Sequence, residues 1–360
     1  MTRGPTLLHK LTSYGIGGDI HSWITDFLDG RKQQVVVNGT ASTTREVTSG
    51  IPQGSVLGPT LFVAYINDLP EVVTSDVYLF ADDTKIFHPM MNTNDAHVFQ
   101  DDLNNLHEWT ENWLLRFHPD KCKIMLLGDN HYTDEFTLPN SSGKKLDIVE
   151  DEKDLGVKTD NKLNFRSHLT MQVNKSNKVL GTIRRTFADL NTENFKNLFK
   201  TMVRPHLEYA APIWNPFLKK DIALVENVQR RGTKMIPGMA QLPYEKRLES
   251  LDLPSLQFRR LRGDMIEVHK ILNYYVADPS LVLCRSSQSL TRGHQFKLTK
   301  AHCRLNIRQH SFSQRVINTW NNLPEEIVTA KTTNSFKNRL DQRWRDHPAR
   351  YKWDYDPSII

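Results

Sequence analysis

Hydrophobic positions in the first 50 residues change from helical spacing to strand spacing. Apolar residues between 7 and 28 recur at three- and four-residue intervals, which predicts two helices separated by the glycine-rich turn at residues 14–18. The β-branched run at residues 34–37 then leads through Asn38-Gly39, a dipeptide typical of tight hairpins, into an extended stretch ending at Val47. The N-terminal part is therefore expected to combine helices with antiparallel strands.

A loop unusually rich in glycine and proline, S-G-I-P-Q-G-S-V-L-G-P, occupies residues 49–59. It leads into a third apolar-periodic segment, and Pro59 can occupy the first turn of that helix. The loop lacks the G-K-[ST] ending of the nucleoside-triphosphate P-loop. Glycine at this density permits close approach of the backbone to a ligand.

Two adjacent aspartates, Asp82 and Asp83, interrupt the strand-like sequence Y-L-F-A-D-D-T-K-I-F at residues 78–87. We expect a hairpin with both carboxylates at its tip. Repulsion and desolvation oppose such a pair unless a cation neutralises it. Mg²⁺ prefers oxygen ligands and takes one or two carboxylates plus substrate phosphates, and paired divalent ions catalyse attack on phosphoryl groups. The alternative is a solvated turn.

Helical spacing dominates after residue 165, where two apolar stripes predict two helices. Asn191 or Thr192 can cap the second of them. Past residue 275 the pattern weakens, and the polar segment at residues 286–289 is interpreted as a linker before a last strand and two short helices. The two stripes consist of Leu169, Val173, Ser176, Val179, Leu180 and Ile183, and of Phe195, Leu198, Phe199 and Met202.

Charge is distributed unevenly along the chain. Residues 1–150 carry 11 Lys and Arg against 20 Asp and Glu, whereas residues 151–360 carry 36 against 21. A basic C-terminal half favours a polyanionic partner, and the pairs Arg184-Arg185 and Arg230-Arg231 are candidates for contacts with a nucleic-acid backbone. The alternative for any one pair is a solvated helix face.

Composition narrows the class of protein. With 38% hydrophobic and 24% charged residues the chain is expected to be globular, and no apolar run is long enough to cross a membrane. The first residues lack the apolar stretch of a signal peptide, which predicts an intracellular protein of the cytoplasm or nucleus with no membrane partner. The three cysteines include no C-x-x-C pair, a pattern typical of reduced thiols.

The order of these segments resembles the reverse transcriptase of non-LTR retrotransposons, in particular the jockey-like lineages. The resemblance begins with the loop at residues 49–59, Y-I-N-D-L-P at 65–70 and F-A-D-D at 80–83. It continues with F-H-P-D-K-C-K-I-M at 117–125, similar to motif D of the family, and D-L-G-V at 154–157, similar to its primer grip. Further similar segments are V-R-P-H-L-E-Y-A-A-P-I-W at 203–214, V-Q-R-R at 228–231 and F-S-Q-R-V-I-N-T-W-N-N-L-P at 312–324.

The resemblance implies an α+β fold, an incomplete right-hand polymerase. Residues 1–165 are expected to form a palm with partial fingers that lacks the first catalytic strand. Residues 166–274 are expected to form a mostly α-helical thumb, and residues 275–360 a C-terminal region with short helices.

The resemblance also implies roles for individual residues. Asp82 and Asp83 would bind Mg²⁺ or Mn²⁺, and Lys121 would act on the departing pyrophosphate, the alternative for Lys121 being an exposed turn residue. Phe80 would pack beneath the primer end. The partners implied are an RNA template, a DNA primer and deoxynucleoside triphosphates. The residues expected against the template and the nascent base pair are Gly50, Pro52, Gln53 and Gly54.

The family's third carboxylate lies in a D-x-x-x-A-F-D segment, for which this sequence offers no replacement. We therefore expect an incomplete metal site, an N-terminally truncated polymerase and little or no polymerase activity. One alternative is a non-catalytic nucleic-acid-binding protein. Another is a protein-interaction role for residues 335–344, where Phe336, Leu340 and Trp344 recur at four-residue intervals, a spacing more typical of a core stripe.

Overall fold

The computed structural model describes residues 4–92, 94–128, 135–139, 145–187, 190–275, 282–286 and 293–355. The chain divides into two compact units, which we call unit 1 (Met1–Val149) and unit 2 (Glu150–Ile360). Helices dominate the described residues and the strands are short, in agreement with the α+β class. The division into three regions at residues 165 and 274 stays a prediction.

Unit 1 contains the two helices predicted at its N-terminus and the helix predicted after the glycine-rich loop. The turn between the first two is confirmed, with Gly15 at φ +83° and Gly18 at φ +60°, values that favour glycine. The helices are α1 (Gly4–Ser13), α2 (Gly18–Leu28), α3 (Leu57–Ile66) and α4 (Asp95–Asn112). Their shared core contains Leu7, Leu11, Ile24, Leu28, Leu61, Tyr65, Ile66, Leu69, Leu106 and Trp109.

One cation lies inside the core of unit 1. The Lys10 side chain is buried, and its ammonium nitrogen lies 3.7 Å from the ring centre of Trp113 and 4.8 Å from that of Trp109. It also donates to Asp68 at 2.5 Å and to the carbonyl oxygen of Tyr65. Burial lowers the pKa of Lys10, and the Asp68 carboxylate opposes that shift. Asp68 therefore has a structural partner within helix α1.

The strands of unit 1 pair as two-stranded ladders. The hairpin predicted at Asn38-Gly39 is confirmed, because both residues have positive φ and the flanking strands pair across them. The strands are β1 (Lys32–Gln33), β2 (Val36–Val37), β3 (Thr40–Ala41), β4 (Arg45–Glu46), β5 (Asp76–Phe80), β6 (Asp83–Phe87), β7 (Lys123–Ile124) and β8 (Asp147–Ile148). The antiparallel pairs are β1 with β4, β2 with β3 and β5 with β6, and β7 pairs with β8 in parallel.

Unit 2 consists of one hairpin followed by helices. The hairpin is formed by β9 (Asp151–Asp154) and β10 (Val157–Asp160). The first helices are α5 (Arg166–Thr186), α6 (Thr192–Leu198), α7 (Arg204–Glu208), α8 (Ala211–Trp214), α9 (Lys219–Thr233), α10 (Tyr244–Leu251) and α11 (Leu256–Lys270). They are followed by α12 (Asn306–Gln309), α13 (Phe312–Asn321), α14 (Glu325–Val328) and α15 (Thr333–Arg343).

The second apolar stripe predicted from the sequence is correct except at its end. Asn191 caps α6 as expected, its side chain accepting from the Asn194 N–H at 2.9 Å. Met202, however, is 46% exposed, and Val203 is buried in its place. The backbone forms a π-turn at Phe199–Val203, which adds a residue to the turn and rotates the buried face. Pro205 has no N–H to continue the α-helical ladder there.

The C-terminal part differs from the sequence prediction. Four helices, α12 to α15, lie in the described residues past 275, where two were expected, and the expected strand is reduced to an isolated bridge between Arg285 and Leu298. Of the predicted linker, residues 287–289 lie outside the described residues. The stripe of Phe336, Leu340 and Trp344 is buried in a core with Trp320, so it is not available to a partner.

Charged side chains are buried where α11 and α13 meet. Asp264 is 3% exposed and receives two hydrogen bonds of 2.9 Å from the guanidinium of Arg315. Arg260 is 2% exposed, and its Nε donates to Asn215 at 2.9 Å. Buried charges are tolerated only when they are paired and hydrogen-bonded. These side chains therefore constrain how the helices of unit 2 pack.

Three histidines of unit 2 are held in the neutral form. In each, Nδ1 accepts a backbone N–H and so has no room for a proton. Burial lowers the pKa of all three. The pairs are His168 with the N–H of Lys158, His294 with that of Phe296, and His347 with that of Ala349, each at 3.1 Å.

Acidification is accordingly expected to destabilise unit 2. Because the folded-state pKa values lie below the ordinary value of about 6.5, the unfolded chain takes up protons first as the pH falls. The contribution of these three histidines to the stability of unit 2 is therefore fully present above about pH 6.5, and it is lost progressively as the pH falls below that value. Urea unfolding at neutral and mildly acidic pH tests this. In His347→Asn, whose amide oxygen can still accept the N–H, the loss should be smaller; an unchanged pH dependence would contradict the assignment.

Within the described residues, no helix combines the length and the apolar composition that crossing a bilayer requires.

Candidate functional site

The two aspartates lie at the turn of the β5–β6 hairpin, close to where they were expected. Phe80 pairs with Asp83 across the ladder, so the turn consists of Ala81 and Asp82. Asp83 is thus the first residue of β6 and is not part of the turn itself. Both aspartates are exposed. Ala81 has φ +51°, a conformation that costs an alanine about 1–2 kcal/mol, so the turn is held by its surroundings.

One face of this hairpin is solvent-exposed along its whole length. Successive strand residues alternate between exposed and half-buried, and the half-buried ones pack against the core of unit 1. The exposed face carries three cross-strand pairs, of which Tyr78 is 62% and Phe80 is 64% exposed. It therefore presents aromatic rings beside the Asp83 carboxylate. The pairs are Asp76 with Phe87, Tyr78 with Lys85, and Phe80 with Asp83.

The base of the hairpin is fastened to helix α4 by a buried carboxylate. Asp102 is 1% exposed and accepts the backbone N–H groups of Thr74 at 2.8 Å and Ser75 at 2.9 Å. It also accepts the hydroxyl groups of both residues. The Ser75 hydroxyl oxygen lies 2.9 Å from Nδ1 of His88, which follows β6. Asp102 thus joins both ends of the hairpin to α4, a role that the sequence analysis did not identify.

The glycine-rich loop is shaped by its own hydrogen bonds. Gly50 and Gly54 have φ +84° and +79°, and the Arg31 guanidinium donates to the Gly50 carbonyl at 2.5 Å. The Ser55 hydroxyl donates to the Pro52 carbonyl at 2.7 Å and accepts the N–H of Gly58 at 3.0 Å.

Of the four loop residues predicted to contact the template, two are readily accessible. Gln53 and Gly54 are exposed, whereas Gly50 and Pro52 are half-buried. Gly58 is buried, and a Cβ added there would lie 2.9 Å from the Ser55 hydroxyl and 3.1 Å from the Pro52 carbonyl. The hydrogen bonds of Ser55 and the lack of a side chain at Gly58 together hold the conformation of the loop. The sequence pattern did not reveal this constraint.

Lys121 is exposed at the end of a short 3₁₀ turn, Pro119–Lys121. Among the described residues, no hydrogen bond or salt bridge joins it to Asp82 or Asp83. Its role in catalysis stays a prediction.

The donor atoms present suit part of a magnesium site. Two adjacent exposed carboxylates match the one or two protein ligands that Mg²⁺ takes when phosphates and water complete its shell. In the part of the chain that the structure describes, no group of three or more His, Cys, Asp or Glu side chains is arranged to hold a metal ion.

A second hairpin, β9–β10, is supported by a tyrosine in unit 2. Its turn, Leu155–Gly156, has positive φ at both residues. The Tyr209 hydroxyl donates to the Leu155 carbonyl at 2.8 Å, and a Cβ on Gly156 would lie 3.2 Å from the Tyr209 ring. Glycine is therefore required at this turn for both its conformation and its contact. Two segments of the resemblance, 154–157 and 203–214, meet here.

The predicted arginine pairs differ in accessibility. Arg184 and Arg185 are exposed at the C-terminal end of α5, and Arg231 is exposed on α9. Arg230 instead packs between two rings, with its guanidinium 4.9 Å from the centre of Tyr244 and 5.0 Å from that of Trp353.

An open groove runs along helix α5, where the sequence analysis had singled out only its terminal arginines. It is lined by Arg166, Ser167, Thr170, Met171, Asn174, Lys175 and Lys178, residues that recur at one-turn spacing on a single helix face. Its three cations make this face basic.

Comparison with known protein families gives a match that includes both the hairpin and the loop. A model of the family "Reverse transcriptase (RNA-dependent DNA polymerase)" matches residues 4–183, and the chain therefore belongs to this family. The match covers both the glycine-rich loop and the β5–β6 hairpin.

Several relatives bear the names of polymerases from mobile elements. The chain is 26% identical over 227 residues to the RNA-directed DNA polymerase from mobile element jockey of Drosophila melanogaster, covering 60% of this chain and 25% of that protein. It is 26% identical over 233 residues to the probable RNA-directed DNA polymerase from transposon X-element of the same species, covering 60% of this chain and 24% of that protein. It is 25% identical over 226 residues to the probable RNA-directed DNA polymerase from transposon BS of that species, covering 59% of this chain and 25% of that protein. The chain thus spans about a quarter of the length of these curated relatives. It is a reverse transcriptase domain related to those of non-LTR retrotransposons.

Proposed function

We propose that this chain provides the metal-binding hairpin and the nucleic-acid-binding helices of an RNA-directed DNA polymerase. Asp82 and Asp83 are the proposed ligands of Mg²⁺ or Mn²⁺, and Phe80 the proposed support of the primer end. Membership of the family implies an RNA template, a DNA primer and nucleoside triphosphates as partners. A bound divalent ion would supply charge stabilisation for phosphoryl transfer.

The exposed face of the β5–β6 hairpin is the observation that carries this proposal. It places the Asp83 carboxylate, which adjoins Asp82 in the turn, beside the exposed rings of Phe80 and Tyr78 on one paired ladder. Aromatic rings give stacking surfaces for bases of any sequence. Asp102 holds the base of the ladder, so the carboxylates are positioned before a ligand binds.

The glycine-rich loop is proposed to contact the template and the nascent base pair. The exposed Gln53 can both donate and accept hydrogen bonds, and Gly54 leaves the backbone open to a ligand. Lys121 is proposed to act on the departing pyrophosphate, a role for which a flexible exposed ammonium group is suited.

The helical part of unit 2 is proposed to act as the thumb that binds the duplex. The exposed cations of α5, from Arg166 and Lys175 to Arg184 and Arg185, support this role. Arg230 contributes by packing against Tyr244 and Trp353, and Arg231 remains exposed to a phosphate. Binding that depends on such contacts weakens steeply as salt increases.

We propose that the chain by itself polymerises little or no DNA, because two exposed carboxylates hold divalent ions weakly without further ligands. Primer extension on poly(rA) and oligo(dT) with Mg²⁺ or Mn²⁺ is expected to give incorporation close to that of a protein-free reaction. Manganese binding, followed by electron paramagnetic resonance of free Mn²⁺, is expected to be detectable and to be lost in the double variant Asp82→Asn/Asp83→Asn.

The matched control is Asp76→Asn, on the same exposed face at the opposite end of the hairpin. It should bind manganese as the wild type does. Template-dependent incorporation that Asp82→Asn abolishes would show that the chain is an active polymerase. Equal manganese binding by wild type and the double variant would overturn the assignment of the metal ligands.

A second candidate function, nucleic-acid binding without catalysis, is favoured by the basic face of α5. It predicts duplex affinity that falls with salt and is unaffected by Asp82→Asn. Filter binding of a labelled RNA–DNA duplex at two salt concentrations measures both properties.

A further inference from the structure

Unit 2 contains a cleft that shares Arg166 and Ser167 with the basic face of α5 and is otherwise lined by different residues. Its volume is about 830 Å³, within the range of ligand-binding clefts. Most of its walls come from three stretches of chain, residues 160–167, 212–221 and 307–312, and residues 150, 151, 267 and 271 complete the lining. The cleft therefore brings together residues that lie far apart in the sequence.

A stacked pair of rings lies in this cleft. The rings of Phe217 and His310 have centres 4.2 Å apart and an interplanar angle of 2°. Phe217 remains 40% exposed, so part of this stack is accessible from solvent. Burial lowers the pKa of His310, and the charges of Arg315 and Lys300 act in the same direction, so the imidazole is neutral at pH 7. A neutral, flat and partly open stack is a surface on which a further aromatic ring can pack.

Three cations line the same cleft as the stack. Arg166, Lys220 and Arg308 all line the cleft and are exposed, and none forms a salt bridge within the described part of the chain. Their charge is therefore available to an anionic ligand.

Three of the five acidic groups of the cleft already have partners, two of them lysines and one a set of backbone N–H groups. Asp151 pairs with Lys158 at 2.8 Å, and Glu267 pairs with Lys270 at 3.4 Å. Asp160 accepts three backbone N–H groups, from Lys162, Asn164 and Phe165.

The remaining two acidic residues differ. Asp221 is buried in the first turn of α9, where the helix dipole favours a negative charge. Glu150 is exposed and without a salt bridge among the described residues. Exposed cations therefore outnumber exposed unpaired acids in the cleft.

Arg315 fixes the two walls that carry the rings. Its guanidinium donates to the Pro212 carbonyl at 2.8 Å and to the His310 carbonyl at 3.2 Å, in addition to its pair with Asp264. The stack is thus held in place by a hydrogen-bonded, largely buried side chain, and a ligand would not have to order it.

We propose that this cleft binds single-stranded nucleic acid, with one base stacked on the Phe217–His310 pair and adjacent phosphates contacted by Arg166, Lys220 and Arg308. The inference rests on the proposed nucleic-acid binding of the chain, but it concerns a different site from the hairpin. A stacking platform combined with free cations is the arrangement that binds single strands without sequence preference.

Fluorescence anisotropy with labelled oligo(rU) and oligo(dT) of about 12 nucleotides tests the proposal on the full chain. Phe217→Ala is expected to weaken binding about tenfold, since stacking of one base contributes about 1–3 kcal/mol. Lys220→Gln and Arg308→Gln should each remove about one phosphate contact. Each change is therefore expected to reduce the slope of log affinity against log salt concentration by about one. An abasic oligonucleotide, which keeps the phosphates but lacks bases, should bind wild type and Phe217→Ala equally. Comparison of the RNA and DNA strands shows which the cleft prefers.

The matched control is Phe187→Ala, a phenylalanine of equal exposure (41%) at the end of α5 and outside the cleft. It should bind as the wild type does. Equal affinity of wild type and Phe217→Ala for the base-containing strands would overturn the cleft proposal while nucleic-acid binding stands, and would leave the cleft to an apolar peptide. Absence of binding by the wild type would overturn both the cleft and the proposed nucleic-acid binding, while the manganese measurement would still test the hairpin separately.

Discussion

Replacing Asp264 by alanine is expected to destabilise unit 2 by about 3–5 kcal/mol, the cost of removing one partner from a buried ion pair. Asp264 is 3% exposed and receives two hydrogen bonds of 2.9 Å from the Arg315 guanidinium. Burial raises the pKa of Asp264, and the charge of Arg315 opposes that shift. Without the carboxylate, the largely buried Arg315 guanidinium has no counter-charge, and Arg260 loses a neighbouring negative charge.

Hydrogen exchange of the full chain in urea, read by mass spectrometry, reports peptides of unit 2 separately from those of unit 1. The control is Asp341→Ala, which removes the salt bridge with Arg262, where the aspartate side chain is 50% exposed. That change should cost no more than about 1 kcal/mol.

A double variant separates the loss of the ion pair from the cost of leaving the Arg315 charge without a partner. Asp264→Leu/Arg315→Met removes both charges and is expected to recover much of the lost stability, since buried ion pairs can be replaced by apolar pairs at little cost. Equal stability of wild type and Asp264→Ala would contradict the pairing.

Replacing Asp102 by alanine is expected to destabilise unit 1 by about 3 kcal/mol and to loosen the hairpin that carries Asp82 and Asp83. The change leaves the buried N–H and hydroxyl groups of Ser75 without their carboxylate acceptor, and each such group costs about 1–3 kcal/mol, while the exposed Thr74 N–H can turn to water. Hydrogen exchange should therefore become faster in both β5 and β6, because the network reaches both ends of the ladder.

The neighbouring Asp101 supplies the control for this prediction. It lies on the same helix and is exposed, so Asp101→Ala should leave both the stability of unit 1 and the exchange of the hairpin unchanged. Manganese binding by Asp102→Ala then tests the functional consequence. If the hairpin exchanges as slowly as in the wild type, Asp102 does not hold it.

Local features of the fold and of the candidate site could be predicted from the sequence because they depend on residues close together in the chain. The turn at Asp82, the left-handed glycines of the loop and the cap at Asn191 all follow from short-range backbone and hydrogen-bonding rules. The stripe of helix α5 was correct for the same reason, since apolar spacing alone selects the buried face of a regular helix.

The structure departs from the prediction where long-range contacts or an irregular backbone determine which side chains are buried. Spacing placed Met202 on the buried face, but the π-turn before Pro205 rotated that face to Val203. Asp102 has the same local sequence signal as Asp101, and only packing against residues 74–75 distinguishes the two.

The sequence by itself determined the membership of the family, the pair of aspartates on a hairpin and the basic character of the second half, because residue order and type carry that information directly. Only the tertiary structure decided which charges are accessible and which are internal, since Arg230 lies between two rings while Arg231 is exposed. It also brought Phe217 and His310 into one stack. Their contact depends on how α8 and α13 are joined through Arg315 and the buried Asp264, and such packing is a property of the folded chain that no local pattern encodes.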